Sequence, residues 1–472
     1  MRLRVCVCWM RLCLRRRGSI MNMRSWFQPK DSSLFPLRRS LYRFPKIEES
    51  YHLTLHLRVE DDQSASLVIN GNTILQLNPT ATWMTYLFLR EESHQNVIKQ
   101  LSRLFATSKF TLEHDYRILT DTLHAIFERR QFCFVENPEV ETLFPFEHHP
   151  SAPYRMDIAL TYQCNNDCFH CYNDPNRKPS PLSLEQWKAV LDRVWEIGIP
   201  HIVFTGGEPT LVESLFALIE YAKQKGFIVG LNTNGRRLSD SGYAQSLRTA
   251  GLDHIQITLE SADQTIHDQI VQRHGAWKQT VAGIQNALNS QNYVMTNTTL
   301  LRENISTIPE TLKFLNDIGV PTIGLNALIY SGRGRSVGHP LTENELIPLL
   351  QYAQEFVERS GQRLIWYTPT HYCNFDPVSL NLGVKGCTAA LYNMCIEPNG
   401  EVLPCQSYYQ SLGNFLTSDW ASIWHHPLAE ELRHRKYISE QCKGCLILSQ
   451  CGGGCPLAPT QIAWQSLLRM ET

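Results

Sequence analysis

Between Tyr154 and about Thr370 the sequence alternates short apolar runs with stretches of helical period, and this constrains the fold more than any other feature. Met156–Leu160, His201–Thr205, Phe227–Asn232, His254–Leu259, Tyr293–Leu300 and Thr322–Leu328 read as strands. Leu184–Ile197, Leu215–Lys225, Ser239–Ala250, Trp277–Asn289, Pro309–Ile318 and Glu343–Ser360 read as helices. A strand returned by a helix pairs in parallel with its predecessor, through a right-handed crossover. Six such repeats predict an α/β fold, a partial (β/α)6 barrel of TIM type, with its chemistry at the carboxyl ends of the strands.

At the end of the first of these strands stands Cys164-Asn165-Asn166-Asp167-Cys168-Phe169-His170-Cys171. Three thiols in eight residues can wrap one face of a cubane cluster but cannot complete it, since a [4Fe–4S] centre takes four thiolates. An iron without a protein ligand is free to bind a substrate or cofactor. The competing reading is a three-thiolate zinc site helped by His170. After the second strand comes Thr205-Gly206-Gly207-Glu208-Pro209. Its glycines admit a ligand close to the backbone, and Glu208 offers a carboxylate to an ammonium group.

These two motifs resemble those of radical S-adenosylmethionine (radical SAM) enzymes, which carry the same Cys-x3-Cys-x2-Cys triad with an aromatic residue after the second cysteine. The resemblance implies that Cys164, Cys168 and Cys171 ligate a [4Fe–4S] cluster whose open iron is chelated by the methionine end of SAM. Reductive cleavage of SAM then gives a 5′-deoxyadenosyl radical that abstracts hydrogen from the substrate. It places Phe169 against the adenine and Gly206, Gly207 and Glu208 at the methionine amino group. Asn232–Gly235 and Thr258-Leu-Glu260-Ser261 close the third and fourth strands, and Thr258 and Glu260 depart conservatively from the Ser-Leu-Asp of many relatives. His267, Asp268 and Arg273 come next, with surface and ligand-facing roles equally open, and Ser331–Arg335 reads as a flexible turn with solvated arginines.

Eleven of the fifteen cysteines fall between Cys164 and Cys455, a clustering that favours metal or iron–sulfur ligation over a disulfide framework and points to a reducing cytoplasm. Cys387 and Cys405 flank the hairpin turn Asn399-Gly400, and Cys442-x2-Cys445-x5-Cys451-x3-Cys455 lies beyond it. Paired Cys-x2-Cys knuckles keep zinc open as an alternative. The pattern resembles the SPASM domain, which follows radical SAM barrels and carries up to two auxiliary [4Fe–4S] clusters. The resemblance implies a first auxiliary centre on Cys387, Cys405 and Cys455 and a second on Cys442, Cys445 and Cys451. The family's further downstream cysteine has no counterpart here. Cys373 is expected to complete the first centre, Cys395 to be a buried structural thiol, and Cys133 to have no ligand role.

Residues 50–130 read as a small winged-helix-like α+β domain: a strand at Tyr51–Val59, a hairpin turning at Asn70-Gly71, and helices at Ala81–Leu89, His94–Phe105 and Glu113–Phe127. This order, with Leu77-Asn-Pro-Thr-Ala81, resembles the RiPP recognition element, related to the carrier protein of pyrroloquinoline-quinone biosynthesis. There a leader peptide adds as a strand to the exposed hairpin edge, which would raise its effective concentration at the barrel. Residues 1–49 are expected to be disordered or to include a mis-called start, the basic first twenty residues preceding a true start at Met21 or Met23. Residues 131–153 form a linker, 154–370 the barrel and 371–472 the cysteine-rich domain.

A net charge of −1 gives no argument for a nucleic-acid partner, and no run of about 18 apolar residues exists to span a membrane. The function expected is a radical SAM/SPASM oxidoreductase that modifies a ribosomally synthesised peptide, bound through a leader segment, with reduced flavodoxin or ferredoxin as electron donor. The alternatives are a maturase acting on a side chain of a folded protein, of sulfatase-maturase or quinone-cofactor type, and a non-catalytic metal-binding scaffold.

Overall fold

The computed structural model describes residues 9–12, 37–48, 51–128, 140–142 and 150–458, so Cys6, Cys8, Cys13 and Cys133 lie outside it. The chain divides into two compact units, Met1–Ser151 with Glu196–Pro200, and Ala152–Trp195 with His201–Thr472.

The first unit is a six-stranded sheet with three helices. Its strands are β1 (Trp9–Leu12), β2 (Ser40–Glu48), β3 (Tyr51–Val59), β4 (Ala65–Ile69), β5 (Thr73–Leu77) and β6 (Val140–Thr142), in the order β2-β3-β4-β5-β1-β6. Asn70 and Gly71 both take positive φ, 50° and 71°, as the tight β4–β5 turn requires. The helices α1 (Pro79–Leu89), α2 (His94–Leu104) and α3 (Lys109–Phe127) start at Asn78, Ser93 and Ser108, whose side chains accept backbone N–H groups of the first turn. The Ser108 cap starts α3 four residues ahead of its expected beginning at Glu113. Leu55, Leu57, Leu67, Leu101 and Leu119 form its fully buried core.

Two expectations fail here. β1 and β2 both fall within the first 49 residues, expected to lack structure; Leu41 is buried, and Tyr42 and Phe44 pack on the core. The hairpin edge expected to be exposed is also covered, since β1 pairs in parallel along the whole of its length with Ile74–Leu77 of β5. An unpaired edge presents a row of free N–H and C=O groups, which a segment of the same chain here satisfies.

The second unit carries the expected strands: β7 (Arg155–Thr161), β8 (His201–Gly206), β9 (Ile228–Thr233), β10 (His254–Thr258), β11 (Tyr293–Thr299) and β12 (Thr322–Asn326), all parallel. Between them run α4 (Leu184–Ile197), α5 (Leu215–Lys225), α6 (Ser241–Thr249), α7 (Gln264–Val271), α8 (Ala276–Asn289), α9 (Ile308–Asp317) and, after β12, α10 (Glu343–Ser360). A seventh parallel strand, β13 (Arg363–Trp366), was too short to read from periodicity. On the other side β14 (Asn393–Ile396) pairs in parallel with β7 and antiparallel with β15 (Val402–Leu403). The hairpin of the cysteine-rich region thus belongs to the same nine-stranded sheet as the barrel strands. No helix among the described residues is long and apolar enough to cross a membrane.

Candidate active site

The register of β7 against β8 shifts between Ala159 and Thr161, and the chain then enters the triad loop. A bulge beside a site re-aims the side chains beyond it. The loop is gripped from three neighbouring strand ends. After β9, the Arg236 guanidinium donates to the Asn165 carbonyl and, at 2.9 Å, to Asn166 Oδ1, while Asn234 Nδ2 donates to Asn165 Oδ1 at 2.6 Å. After β10, Ile270 and Val271 of α7 accept the amides of Phe169 and Asp167 at 3.3 and 3.0 Å, and Arg273 Nε donates to the Asn165 carbonyl at 3.2 Å. After β12, Arg333 donates to the carbonyls of Asp167 (2.9 Å) and Cys168 (3.3 Å) and pairs with the Asp167 carboxylate.

The segment Ser331–Arg335 is therefore not a flexible turn. Gly332–Ser336 forms a short 3-10 helix, and Gly334 N donates to the Cys171 carbonyl at 3.3 Å. A Cβ at Gly332, where φ is +52°, would lie 2.4 Å from the Tyr172 carbonyl oxygen, so only glycine allows the approach. Of the other uncertain residues, Arg273 holds the triad loop. Asp268 caps backbone amides of Gly275 and Trp277 at 2.7 and 2.8 Å, and buried His267 accepts the Glu260 amide at 3.1 Å through Nδ1.

Gly206 and Gly207 lie directly under the triad loop. A Cβ at Gly206 would meet the Thr161 carbonyl oxygen at 2.1 Å and one at Gly207 the Gln163 oxygen at 2.3 Å. Glu208 has 0% exposure. Its Oε1 accepts from Thr210 N (3.1 Å), Thr210 Oγ1 (2.6 Å) and Thr233 Oγ1 (2.7 Å), and its Oε2 from Asn234 N (2.8 Å). Burial still raises its pKa against these donors. The carboxylate thereby ties β8 to the end of β9.

Glu260, 1% exposed, accepts from Thr299 N at 2.9 Å, and its Oε1 lies 3.1 Å from His170 Nε2 without the alignment of a hydrogen bond. Thr258, at the end of β10, is half-buried. Phe169 packs on Ile270, Leu301 and Leu328, an apolar patch at the carboxyl ends of the strands.

The three triad thiols lie within one another's fields. Burial, then the charges of Cys171, Glu260 and Cys164, push the Cys168 thiol well up, and burial first also raises Cys171. Thiols so crowded ionise together only around a shared cation, and coordinated iron supplies one. Cys164 Sγ already accepts hydrogen bonds, from Asn166 N at 3.4 Å and Asn234 Nδ2 at 3.9 Å, as a ligating thiolate does. Among the described residues no three or more His, Cys, Asp or Glu side chains converge as the ligands of a single metal ion would. In a cubane each thiolate takes its own iron corner, so its sulfurs stand apart. The donor set fits that cluster.

The remaining cysteines form two groups. Burial is the main cause of the raised pKa values of Cys387 and Cys405; Cys387 also feels the charges of Cys455 and Cys405, and Cys405 that of Cys455. Cys373, expected beside Cys387, has its thiol pKa raised first by burial, against a hydrogen bond from its own backbone, and then by the charges of Cys451, Glu343 and Cys442. Cys395 is fully buried against Ala159 and Leu403, as a structural thiol.

The class emerges from this geometry together with sequence comparison. Residues 158–315 match the family model described as Radical SAM superfamily. Residues 387–446 match SPASM, described as an iron-sulfur cluster-binding domain, and the chain is a radical SAM/SPASM enzyme. Its cofactors are SAM, the [4Fe–4S] cluster that binds it, and auxiliary iron–sulfur clusters. Among its relatives are an AdoMet-dependent heme synthase of Oleidesulfovibrio alaskensis, 25% identical over 62% of this chain and 80% of that one, and a PqqA peptide cyclase of Gluconobacter oxydans, 26% identical over 65% and 86%. Streptococcus suis SuiB bound to precursor peptide SuiA shares the fold at TM-score 0.62 and 15% identity, over 88% of this chain and 96% of that one.

Proposed function

We propose that this enzyme modifies a ribosomally synthesised peptide, engaged through a leader segment that adds as a strand to the first unit. One observation carries the reading: the outer edge of β5 receives an extended segment, Trp9–Leu12, by main-chain pairing. An edge that accepts a strand of its own chain has the chemistry to accept a peptide. The fold shared with the peptide-bound SuiB is consistent with this, as is a relative named for peptide cyclisation.

Cys164, Cys168 and Cys171 would hold the SAM-binding cluster. Gly206 and Gly207, which seat the start of the triad loop against β8, would border the cofactor's methionine end, and Glu208 would act through the β8–β9 geometry it fixes. Thr258 and Glu260 would border the cofactor from the fourth strand, and Phe169 would close its apolar side. Bound SAM, reductively cleaved, supplies hydrogen abstraction, with reduced flavodoxin or ferredoxin as the electron source. Cys387, Cys405, Cys442, Cys445, Cys451 and Cys455, with Cys373, would hold the auxiliary clusters.

The test is peptide binding by fluorescence anisotropy, using synthetic leader peptides encoded beside the enzyme, to the full chain and to a chain starting at Leu37. Without β1 to displace, affinity rises by about tenfold or more. No binding by either form would end the peptide reading. Relatives named heme synthase favour a second reading, a haem-type substrate. Its mark is SAM-dependent conversion of a haem precursor, followed by mass spectrometry, with no response to peptide.

A further inference from the structure

The sequence offers six SPASM-patterned thiols and Cys373, whose distance along the chain points to Cys387. The structure points elsewhere. The Tyr372 amide donates to Cys451 Sγ at 3.4 Å, and Cys451 Sγ contacts the Thr370 carbonyl oxygen at 3.6 Å. One strap, residues 370–372, therefore meets the Cys451 sulfur at two points. The ring of His371 fills the space where a Gly454 side chain would stand, 2.5 Å from an ideal Cβ. Standard backbone lengths then keep the Cα of Cys373 within about 9 Å of Cys451 Sγ. The Cys442 sulfur accepts from Ser439 Oγ at 3.5 Å, and a turn closed by Cys445 N on Cys442 O at 3.2 Å holds these two cysteines together. Cys373 itself is exposed, so its sulfur is available to a ligand.

We propose that Cys373 is the fourth thiolate of the second auxiliary [4Fe–4S] centre, with Cys442, Cys445 and Cys451. A residue upstream of the whole pattern then takes the fourth place. Cys387, Cys405 and Cys455 then form the three-thiolate centre, on the hairpin whose strand β14 pairs with β7.

The experiment uses the full chain, reconstituted anaerobically, with iron and sulfide counts and electron paramagnetic resonance of the reduced protein. Unaltered chain carries about twelve irons, three cubanes of four. Cys442→Ala/Cys445→Ala/Cys451→Ala removes one cubane, leaving about eight. Adding Cys373→Ala to that variant changes neither count nor spectrum. On a Cys387→Ala/Cys405→Ala/Cys455→Ala background the same Cys373→Ala change matters. It lowers the count by about one to four irons and, after ferricyanide oxidation, adds a second three-iron signal to the one that the three-thiolate triad cluster gives in the parent variant. Cys373→Ser on this background keeps iron but shifts the spectrum. The triad cluster signal and circular dichroism verify that each variant is folded.

Three results overturn the proposal: iron loss from Cys373→Ala on the first background, no effect on the second, or no second auxiliary cluster in the unaltered chain. These readouts count clusters, not turnover, so the proposal stands or falls apart from the peptide reading.

Discussion

The loop of Cys164, Cys168 and Cys171 and the loop of Cys442, Cys445 and Cys451 each present three thiols over a short span, and the protein holds them by different means. Arg236, Arg273 and Arg333 reach the first from three strand ends, and the α7 carbonyls bind its amides. The second is closed mainly by turns between near neighbours, such as Cys442 N on Ser439 O and Cys451 N on Ile447 O. Its long-range ties run from Tyr372 to Cys451 and from Arg435 and Tyr437 to the Gly452 carbonyl. Leu446 is 99% exposed and Ile447 41%. The triad loop is held at many points by protein groups alone, so the second, with fewer long-range ties, is expected to take more of its order from the metal. Coupling of this kind between metal and folding is general where a site is not preformed.

The largest effect expected comes from Cys164→Ala/Cys168→Ala/Cys171→Ala. It should abolish 5′-deoxyadenosine formation and remove about four irons while leaving the auxiliary signals intact. Persistent SAM cleavage would show that the triad assignment is wrong. Glu208→Ala comes next, because it strands buried donors from Thr210, Thr233 and Asn234. A cost of about 3 kcal/mol or more is expected in thermal or denaturant unfolding of the anaerobic protein. A fall below about 1 kcal/mol would mean that the β8–β9 tie is not what shapes the site.

Arg333→Ala should cost about 2 kcal/mol and slow SAM cleavage at least about tenfold. Arg333→Lys should restore only part of the loss, since an ammonium cannot reproduce the planar fork. Hydrogen exchange of the iron-free protein tests the comparison itself. The amides of Asp167 and Phe169 should stay protected, and those of Cys442–Cys451 should exchange at least about tenfold faster than with iron bound. Equal protection in both loops would break the contrast. The smallest effect expected is for Leu446→Ser, within about 0.5 kcal/mol, because its side chain touches little.

Periodicity located the six barrel strands because each is a compact apolar run bounded by polar turns. The Asn70-Gly71 turn was legible for a similar local reason. The clamps on the triad loop were not, because nothing in the sequence around Arg236 or Arg333 says which carbonyl its guanidinium will reach. Position was the one available sign: both arginines stand close behind a barrel strand. Glu208 was recognised as important, yet its engagement depends on Thr233 and Asn234, which reach it only once β9 lies beside β8. Cys373 was assigned by its distance along the chain, and the contacts of the 370–372 strap with Cys451, which carry the proposal above, have no counterpart in the sequence. β13 has four residues, too few for a period to show. The edge filled by β1 was missed because a basic, cysteine-containing opening carries no strand signal strong enough to outweigh its charges.

The pairing of β14 with β7 bears on whether the chain can be divided. The partner that completes the outer edge of the triad-bearing strand arrives more than two hundred residues later, from the region that holds the auxiliary thiols. A protein ended at the sequence boundary near residue 370 would not be a smaller catalyst but one with a bare edge, prone to recruit strands from its neighbours and precipitate. Two domains by sequence pattern are, mechanically, a single sheet. Evolution of the accessory region is thereby restrained by the strand that presents the triad.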